Sequence, residues 1–380
     1  MDLSENRNKI DDIDSRIVNL FKERMAVAKD IACYKKANNL NTLDSSRERA
    51  LLNRISDLAG TEFEGYARMV YSQIMEVSKS YQHGIIHPDS AFINNINSAL
   101  DSTPKIFPDR AEVACQGVEG AYSQMAAERV FKVPNIHFCD KFEDVFTAVE
   151  NGDVRFGILP IENSTAGSVK MTYDLMSKHD FYIVRSIRIK VDHNLLANKG
   201  TKIEDIKEVY SHEQAISQCS EFLKTLPGVK ITVVKNTALA SKLVMESGRN
   251  DIAALSSYSC AKLYNLDILK ESVQDNGNNY TRFICFEKKL EIYPGADRTS
   301  LILTLEHKPG ALYQLLSKFY ALGINVIKIE SRPIPDRNFE FMFYFDIEES
   351  VYSDNFKLIL SELEYSLEGF KYLGSYSELL

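Results

Sequence analysis

Asn278-Asn279-Tyr280-Thr281-Arg282-Phe283-Ile284-Cys285-Phe286 is a polar turn that runs straight into an apolar strand. Ile284 and Phe286 alternate with smaller residues, the period of a strand with a buried face. Thr281 stands at the mouth of that strand, where its hydroxyl borders the turn. A threonine there is also simply a good β-former, so the stretch gains chemical meaning only from its surroundings. Upstream lies an alternating strand and helix pattern, before that an all-helical segment, and downstream a second alternating segment.

Outward from Thr281 toward the amino terminus, the chain from Ala111 shows short apolar runs separated by amphipathic stretches. Val113-Ala114-Cys115 is followed by a Gly117/Gly120 turn, a helix near 122–131 and a strand at Phe156-Gly157-Ile158-Leu159. This is the texture of an α/β domain. It breaks near Val184 to Leu196 and restarts at Val209-Tyr210-Ser211-His212, which predicts two lobes joined by a crossover. Ligands of open α/β sheets sit beyond the carboxyl ends of the strands, where helix amino termini offer free N–H groups to an anion. Polar clusters fall at such places: Glu162-Asn163-Ser164-Thr165 after Ile158-Leu159-Pro160, Ser211-His212 after Val209, and Thr281 at its turn. Each cluster alone is equally a helix cap. His193 and His212 are open to either an acid role or a structural one.

Residues 1–83 carry no glycine before Gly60, and no proline precedes Pro88, so only caps punctuate this stretch. Ile10, Ile13, Ile17, Leu20, Val27 and Ile31 recur at helical steps and predict a helix from about 5 to 37 with one apolar face. Arg24 and Lys35 fall within that face. An unpaired cation on a buried face costs several kcal/mol, so each needs an internal carboxylate or an anionic ligand, unless the face is exposed and the side chains snorkel. Their α-carbons lie roughly 16 Å apart, close enough for two long side chains to converge on a small dicarboxylate. Asp44-Ser45-Ser46-Arg47-Glu48 opens a second helix, with Ser45 and Glu48 fitting a capping box. A third helix near 62–82 turns Val70, Ile74, Val77 and Tyr81 inward, with Ser78 and Gln82 on its flank. Residues 84–110, with Pro88, Pro104 and Pro108, read as a tether with room for a short helix.

After about residue 298 the order is strand (Thr299–Leu305), helix (Pro309–Leu322), strands (Ile324–Ile329 and Phe339–Ile347), helix (353–366) and a final strand. This is a βαββαβ, ferredoxin-like α+β unit. A chain of 380 residues accommodates three such domains: all-α at 1–83, two-lobed α/β at 111–288 and α+β at 298–380. The net charge of −8 argues against a nucleic-acid footprint and for a small partner. Six scattered cysteines show no zinc spacing and read as buried thiols of a reducing cytosol. The opening Met-Asp-Leu-Ser-Glu-Asn-Arg has no apolar signal core, and no run is long enough to span a membrane, so a cytoplasmic protein is expected.

Three resemblances sharpen this. Pro160-Ile161-Glu162-Asn163-Ser164, Asp192-His193, Tyr210-Ser211-His212, Gln218 and Thr281-Arg282-Phe283 occur in the order seen in prephenate dehydratases, so residues 112–288 resemble that family and its two-lobed, periplasmic-binding-protein-like fold. The resemblance implies that Asn163, Ser164, Ser211 and Gln218 bind substrate and that Thr281 is catalytic. Gly117-Val118-Glu119-Gly120 departs from it, since the family places proline after the first glycine. The first segment resembles the all-helical chorismate mutases. That implies substrate contacts at Arg7, Arg24, Lys35, Asp44, Arg47, Glu48, Ser78 and Gln82, with Arg7 from the partner of an intertwined dimer and with Lys35 and Gln82 serving the ether oxygen. Pro309-Gly310-Ala311-Leu312 and Glu330-Ser331-Arg332-Pro333 resemble the effector signatures of ACT domains, implying phenylalanine bound by Gly310, Ala311, Leu312, Glu330, Ser331, Arg332 and Pro333 where two such domains pair.

Together these imply a member of the bifunctional chorismate mutase–prephenate dehydratases, a homodimer or larger homo-oligomer that makes phenylpyruvate under phenylalanine feedback, without cofactor or metal. Two other readings stay open. A non-catalytic two-lobed binding module with an amino-acid sensor would bind without turnover, and an arogenate-preferring dehydratase would share every motif. A third, a mutase fused to a dehydrogenase, needs a G-x-G-x-x-G turn after a strand, which the sequence lacks.

Overall fold

The computed structural model describes residues 2–38, 40, 44–87, 90–334 and 341–379, the side chain of Ser45 excepted. The amino-terminal part is helical throughout: α1 (Leu3–Ala37), α2 (Ser45–Ile86) and α3 (Ala91–Ser102). Two helices follow residue 44 as expected: the span α2 is divided at Gly60, whose backbone (φ 71°, ψ 168°) is not helical. Its cap comes from Asp44, whose carboxylate accepts from Arg47 N at 3.0 Å; the expected Ser45 cap lies outside the described side chains. Glu48 pairs instead with Lys79, at 3.2 Å.

α1 lies against α2 but buries only Ala28 and Ala32 among its described residues. The stripe of Ile10, Ile13, Ile17, Leu20, Val27 and Ile31 is 45–62% exposed, so the expected buried face is not buried within one chain. The reason is length, because a 35-residue helix extends about 52 Å. Cys33 is likewise exposed and Cys139 half-buried, while the other four cysteines are buried.

The expected tether is packed structure. Ser90 caps α3, whose Ile96, Ala99 and Leu100 join Leu315, Phe319, Phe356 and Leu360 in the core of the carboxyl-terminal domain. Phe107 is buried against Phe131, Phe156 and Tyr293, with the Arg185 guanidinium 3.9 Å above its ring.

The middle region has two lobes. Lobe one is built on β1 (Arg110–Gln116), β2 (Val133–Cys139), β3 (Phe156–Asn163), β4 (Gly167–Ser168), β5 (Tyr182–Lys190) and β11 (Tyr280–Glu287), with α4 (Tyr122–Val130), α5 (Phe142–Asn151) and α6 (Lys170–Lys178). Lobe two has the sheet β10-β6-β9-β7-β8, namely β6 (Asn194–Ala197), β7 (Glu208–Ser211), β8 (Lys230–Val233), β9 (Ile252–Ser256) and β10 (Asp267–Lys270). Helices α7 (Glu213–Gln218), α8 (Ser220–Lys224), α9 (Thr237–Ser247) and α10 (Tyr258–Leu263) complete it. The chain passes between lobes at 191–193 and again at 271–279.

The carboxyl-terminal βαββαβ unit forms as expected from β12 (Arg298–Thr304), α11 (Ala311–Ala321), β13 (Asn325–Pro333), β14 (Phe341–Glu348), α12 (Asp354–Ser366) and β15 (Gly369–Leu379). Phe339, expected to begin the third strand, lies outside the described residues. The end of β15 runs parallel to β5, from Ser377 opposite Arg185 to Leu379 opposite Ile187, so the two domains share one sheet, β13-β14-β12-β15-β5-β11-β3-β1-β2. Gly374 makes that approach feasible: its φ is 123°, and a Cβ there would meet Ile183 O at 2.4 Å. Ile302, Tyr344, Leu373 and Tyr376 accordingly share a core with Leu159, Tyr173 and Phe286 of lobe one. α2 docks onto the same domain, with Lys318 paired to Glu362 and, at 3.6 Å, to Glu76, and with Ser80 donating to Glu362.

Candidate active sites and an effector segment

Thr281 and Asn163 sit opposite one another where β11 pairs with β3, and both line a cavity of about 450 Å³ between the lobes. The amide oxygen of Asn163 accepts from Thr165 N (3.0 Å) and Ala166 N (2.8 Å), which fixes the amide and aims its nitrogen at Thr281 Oγ1, 2.9 Å away. Because Thr281 Oγ1 accepts this bond, its own proton is left to donate into the cleft. The same Asn163 nitrogen donates to Asn279 Oδ1 at 2.8 Å. Asn279 Nδ2 in turn donates to Gln218 Oε1 (3.0 Å), and so does His193 Nε2 (3.0 Å), so an amide chain reaches from β3 to lobe two. Burial holds the His193 imidazole below its usual range, with the bond to Gln218 only partly offsetting that. It is neutral near pH 7, with the proton on Nε2 and a buried, unpartnered Nδ1.

Among the described residues lining this cleft there is no lysine or arginine, so an anion there meets neutral side-chain donors and backbone N–H groups. α4 begins at Ala121 without a side-chain cap, leaving its first N–H groups free. The Gly117–Gly120 loop that departs from the family pattern leads into it. Gly120 (φ 92°) would place a Cβ 2.9 Å from Cys260 Sγ, so glycine lets the lobes close here.

The expected binding residues are divided. Asn163 lines the cleft and Gln218 is wired to it. Ser164 does not line it: its hydroxyl accepts from Tyr280 N (2.9 Å) and donates to Asn278 O (3.2 Å), stapling the turn on the far side of the sheet. Ser211 is fully buried, donating to Leu255 O at 2.8 Å, and its neighbour His212 reaches the cleft instead. Sequence reasoning missed Asn279, Gln214 and Thr237; only Asn236-Thr237 carried a signal, as a helix cap.

In the helical segment Ser78 and Gln82 are buried one turn apart on α2, the Gln82 amide nitrogen 3.5 Å from Ser78 Oγ. Among the described residues neither Gln82 Oε1 nor Arg24 Nη1, both buried, has a hydrogen-bond partner. Asp44 is held below the usual carboxylate range, first by the Arg47 N–H it caps and also by nearby Lys35. Glu48 is tied to Lys79, and Arg47 is exposed. Arg7 is exposed about 25 Å along α1 from Arg24, so one chain does not bring it to the other seven.

Family models match the chain in three successive blocks: "Chorismate mutase type II" at 6–83, "Prephenate dehydratase" at 113–291 and "ACT domain" at 299–353. A bifunctional chorismate mutase/prephenate dehydratase of Aquifex aeolicus is 33% identical over 382 residues, spanning 100% of this chain and 99% of its own. The chain belongs to this family. Its enzymatic domains are therefore a chorismate mutase and a prephenate dehydratase. An arogenate dehydratase/prephenate dehydratase of Arabidopsis thaliana is 35% identical over 87% of the chain and 88% of its own length. Among solved structures, a prephenate dehydratase from Arthrobacter aurescens in complex with L-Phe is 27% identical, with a TM-score of 0.64, covering 70% of this chain and 89% of that one.

In the family's third domain the two signature segments part company. Gly310 caps α11 in a left-handed conformation, and Ala311 lines a cavity of about 460 Å³ shared with Lys79, Lys318 and Glu362. Glu330 and Arg332 lie on the edge strand β13 and face the dehydratase. Ser168 Oγ donates to Glu330 at 2.6 Å, and Arg332 grips Asp174 with two bonds of 2.9 and 2.7 Å. Ser331 and Pro333 alternate outward and are exposed, and Leu312 is half-buried at the edge of the core. Among the described residues no helix is long and apolar enough to cross a membrane.

Proposed function

We propose that the chain rearranges chorismate to prephenate among its amino-terminal helices, then dehydrates and decarboxylates prephenate to phenylpyruvate in the interlobe cleft, with phenylalanine as feedback inhibitor. The Asn163–Thr281 pair carries the dehydratase reading, because it presents a hydroxyl whose acceptor side is already occupied. Loss of carbon dioxide and of the ring hydroxyl aromatises the ring, so the enzyme chiefly has to help hydroxide leave. A threonine hydroxyl is too weak an acid to ionise near pH 7; Thr281 acts as an aimed donor to the leaving oxygen. The substrate carboxylates fall to the open amino terminus of α4. Arogenate would bring an ammonium in place of a keto group. Among the described residues the cleft lining holds no Asp or Glu to meet one, which favours prephenate.

The mutase step needs neither nucleophile nor metal, only positioning and charge opposite the ether oxygen. Arg24, Lys35 and Gln82 supply these, with Arg47 and Arg7 clamping carboxylates and Asp44, Glu48 and Ser78 lining the site. Arg7 comes from a second copy, whose α1 covers the exposed isoleucine stripe. Phenylalanine is bound by Gly310, Ala311, Leu312 and Glu330 to Pro333 where two ACT domains meet; the L-Phe complex of the Arthrobacter relative supports the choice of ligand. The test is to supply prephenate and arogenate separately to the purified chain. Phenylpyruvate from prephenate at the higher kcat/KM is expected, and tight binding of prephenate without turnover would overturn the proposal.

A further inference from the structure

Two charged side chains of the carboxyl-terminal sheet reach the strand ends that carry Asn163 and Thr281. Side chains alternate along β3 and β11, so while Asn163 and Thr281 face the cleft, their neighbours Glu162 and Arg282 face the opposite side, into a cavity of about 1170 Å³ against the ACT sheet. There Lys328 of β13 donates to Glu162 Oε1 at 2.7 Å and to Ser168, a cleft-lining residue, at 2.9 Å. Asp346 of β14, fully buried, pairs with Arg282 and is itself held by Ser300 Oγ at 2.5 Å. Glu162 and Arg282 pair across the strands at 3.4 Å, closing a four-charge chain Lys328–Glu162–Arg282–Asp346. Buried ion pairs contribute little net stability, so stability alone is a weak reason for this chain. What they do fix is geometry.

The geometry points to Lys328 and Asp346 as positioning residues of the dehydratase, an inference that rests on reading the interlobe cleft as its active site. They hold the backbone on either side of the 2.9 Å Asn163–Thr281 bond from outside the lobe that contains it. Without Lys328, Glu162 keeps only Arg282 and the β3 end loses its outer anchor; without Asp346, Arg282 and the β11 end lose theirs; either loss costs the Thr281 hydroxyl its aim. Substrate carboxylates bound by α4 are not touched, so the loss falls on kcat and spares KM.

The test measures kcat and KM for prephenate, and mutase turnover on the same preparations, in the full chain carrying Lys328→Met, Lys328→Arg, Asp346→Asn, Glu162→Gln or the pair Glu162→Gln/Lys328→Met. Lys328→Met and Asp346→Asn should lower kcat about tenfold or more, with KM within about twofold and mutase turnover unchanged. Lys328→Arg should recover most of the rate, and the double variant should be no slower than the slower single. Unchanged kcat in both Lys328→Met and Asp346→Asn overturns the inference, as does an equal fall in mutase turnover or failure of arginine to rescue. A wild-type chain that dehydrates no prephenate overturns the reading of the cleft, and this inference with it.

Discussion

At the end of β3, Asn163 spends its carbonyl on two backbone N–H groups and its amide nitrogen on the Asn279 and Thr281 side chains, so the threonine proton has nowhere to go but the cleft. Thr281→Val keeps the shape and removes that proton. Dehydration should slow about 10²–10³-fold, the scale of losing one aimed donor, while Thr281→Ser recovers much of it; prephenate turnover measures this, and a near wild-type rate for valine would remove Thr281 from the chemistry. His193 offers a pH signature. Its folded pKa is depressed, so the unfolded chain takes up a proton first as pH falls below about 6.5, and stability present above that value is lost toward the folded pKa. Urea unfolding at pH 7.5 and pH 5 should therefore show a smaller acid loss for His193→Asn than for wild type. Thr281 was legible in sequence because its turn and strand adjoin it. The Asn163–Asn279–Gln218–His193 chain was not, since its members are brought together only by the two interlobe crossings.

Among the elements, α1 is the one whose sequence and environment disagree within a single chain. Its apolar period is legible, yet the stripe is exposed because a 35-residue helix outruns the part of its own chain that could cover it; the proposed cover is the α1 of a second copy. Ile13→Glu with Ile17→Glu should shift the protein to monomer in sedimentation and abolish mutase turnover, while prephenate turnover persists. A dimer that survives both charges would place the contact elsewhere. β15 gives the opposite lesson: the βαββαβ order was legible, but its parallel seam with β5 was not, because strand pairing between domains leaves no periodicity to read. Gly374→Ala puts a methyl against Ile183 O at a positive φ and should cost about 3 kcal/mol or more. Thermal unfolding followed in the dehydratase region checks this, and an unchanged midpoint would mean the seam is loose.

On the scale of the whole molecule, the three domains are physically continuous. α3, read from its prolines as part of a tether, packs into the ACT core, and β13 carries Lys328, Glu330 and Arg332 against the dehydratase. The effector motif was legible as a motif, but which face would meet the dehydratase was not, since alternation along an edge strand names two faces without saying what covers each. If a phenylalanine ammonium draws Glu330 away from Ser168, effector and substrate should oppose each other by about 1–3 kcal/mol, equally in both directions. Calorimetric titration of phenylalanine with and without a non-reacting prephenate analogue reads this coupling, and independent binding would refute it. The family's two chemistries in one chain meet a single assay: chorismate supplied to wild type, Arg24→Ala and Thr281→Val proteins, with prephenate and phenylpyruvate followed in time. Wild type should form phenylpyruvate, Thr281→Val should stop at prephenate, and Arg24→Ala should leave chorismate untouched yet still dehydrate added prephenate. Loss of both steps in either variant, or chorismate bound and never consumed by wild type, would contradict two separate active sites in this fold.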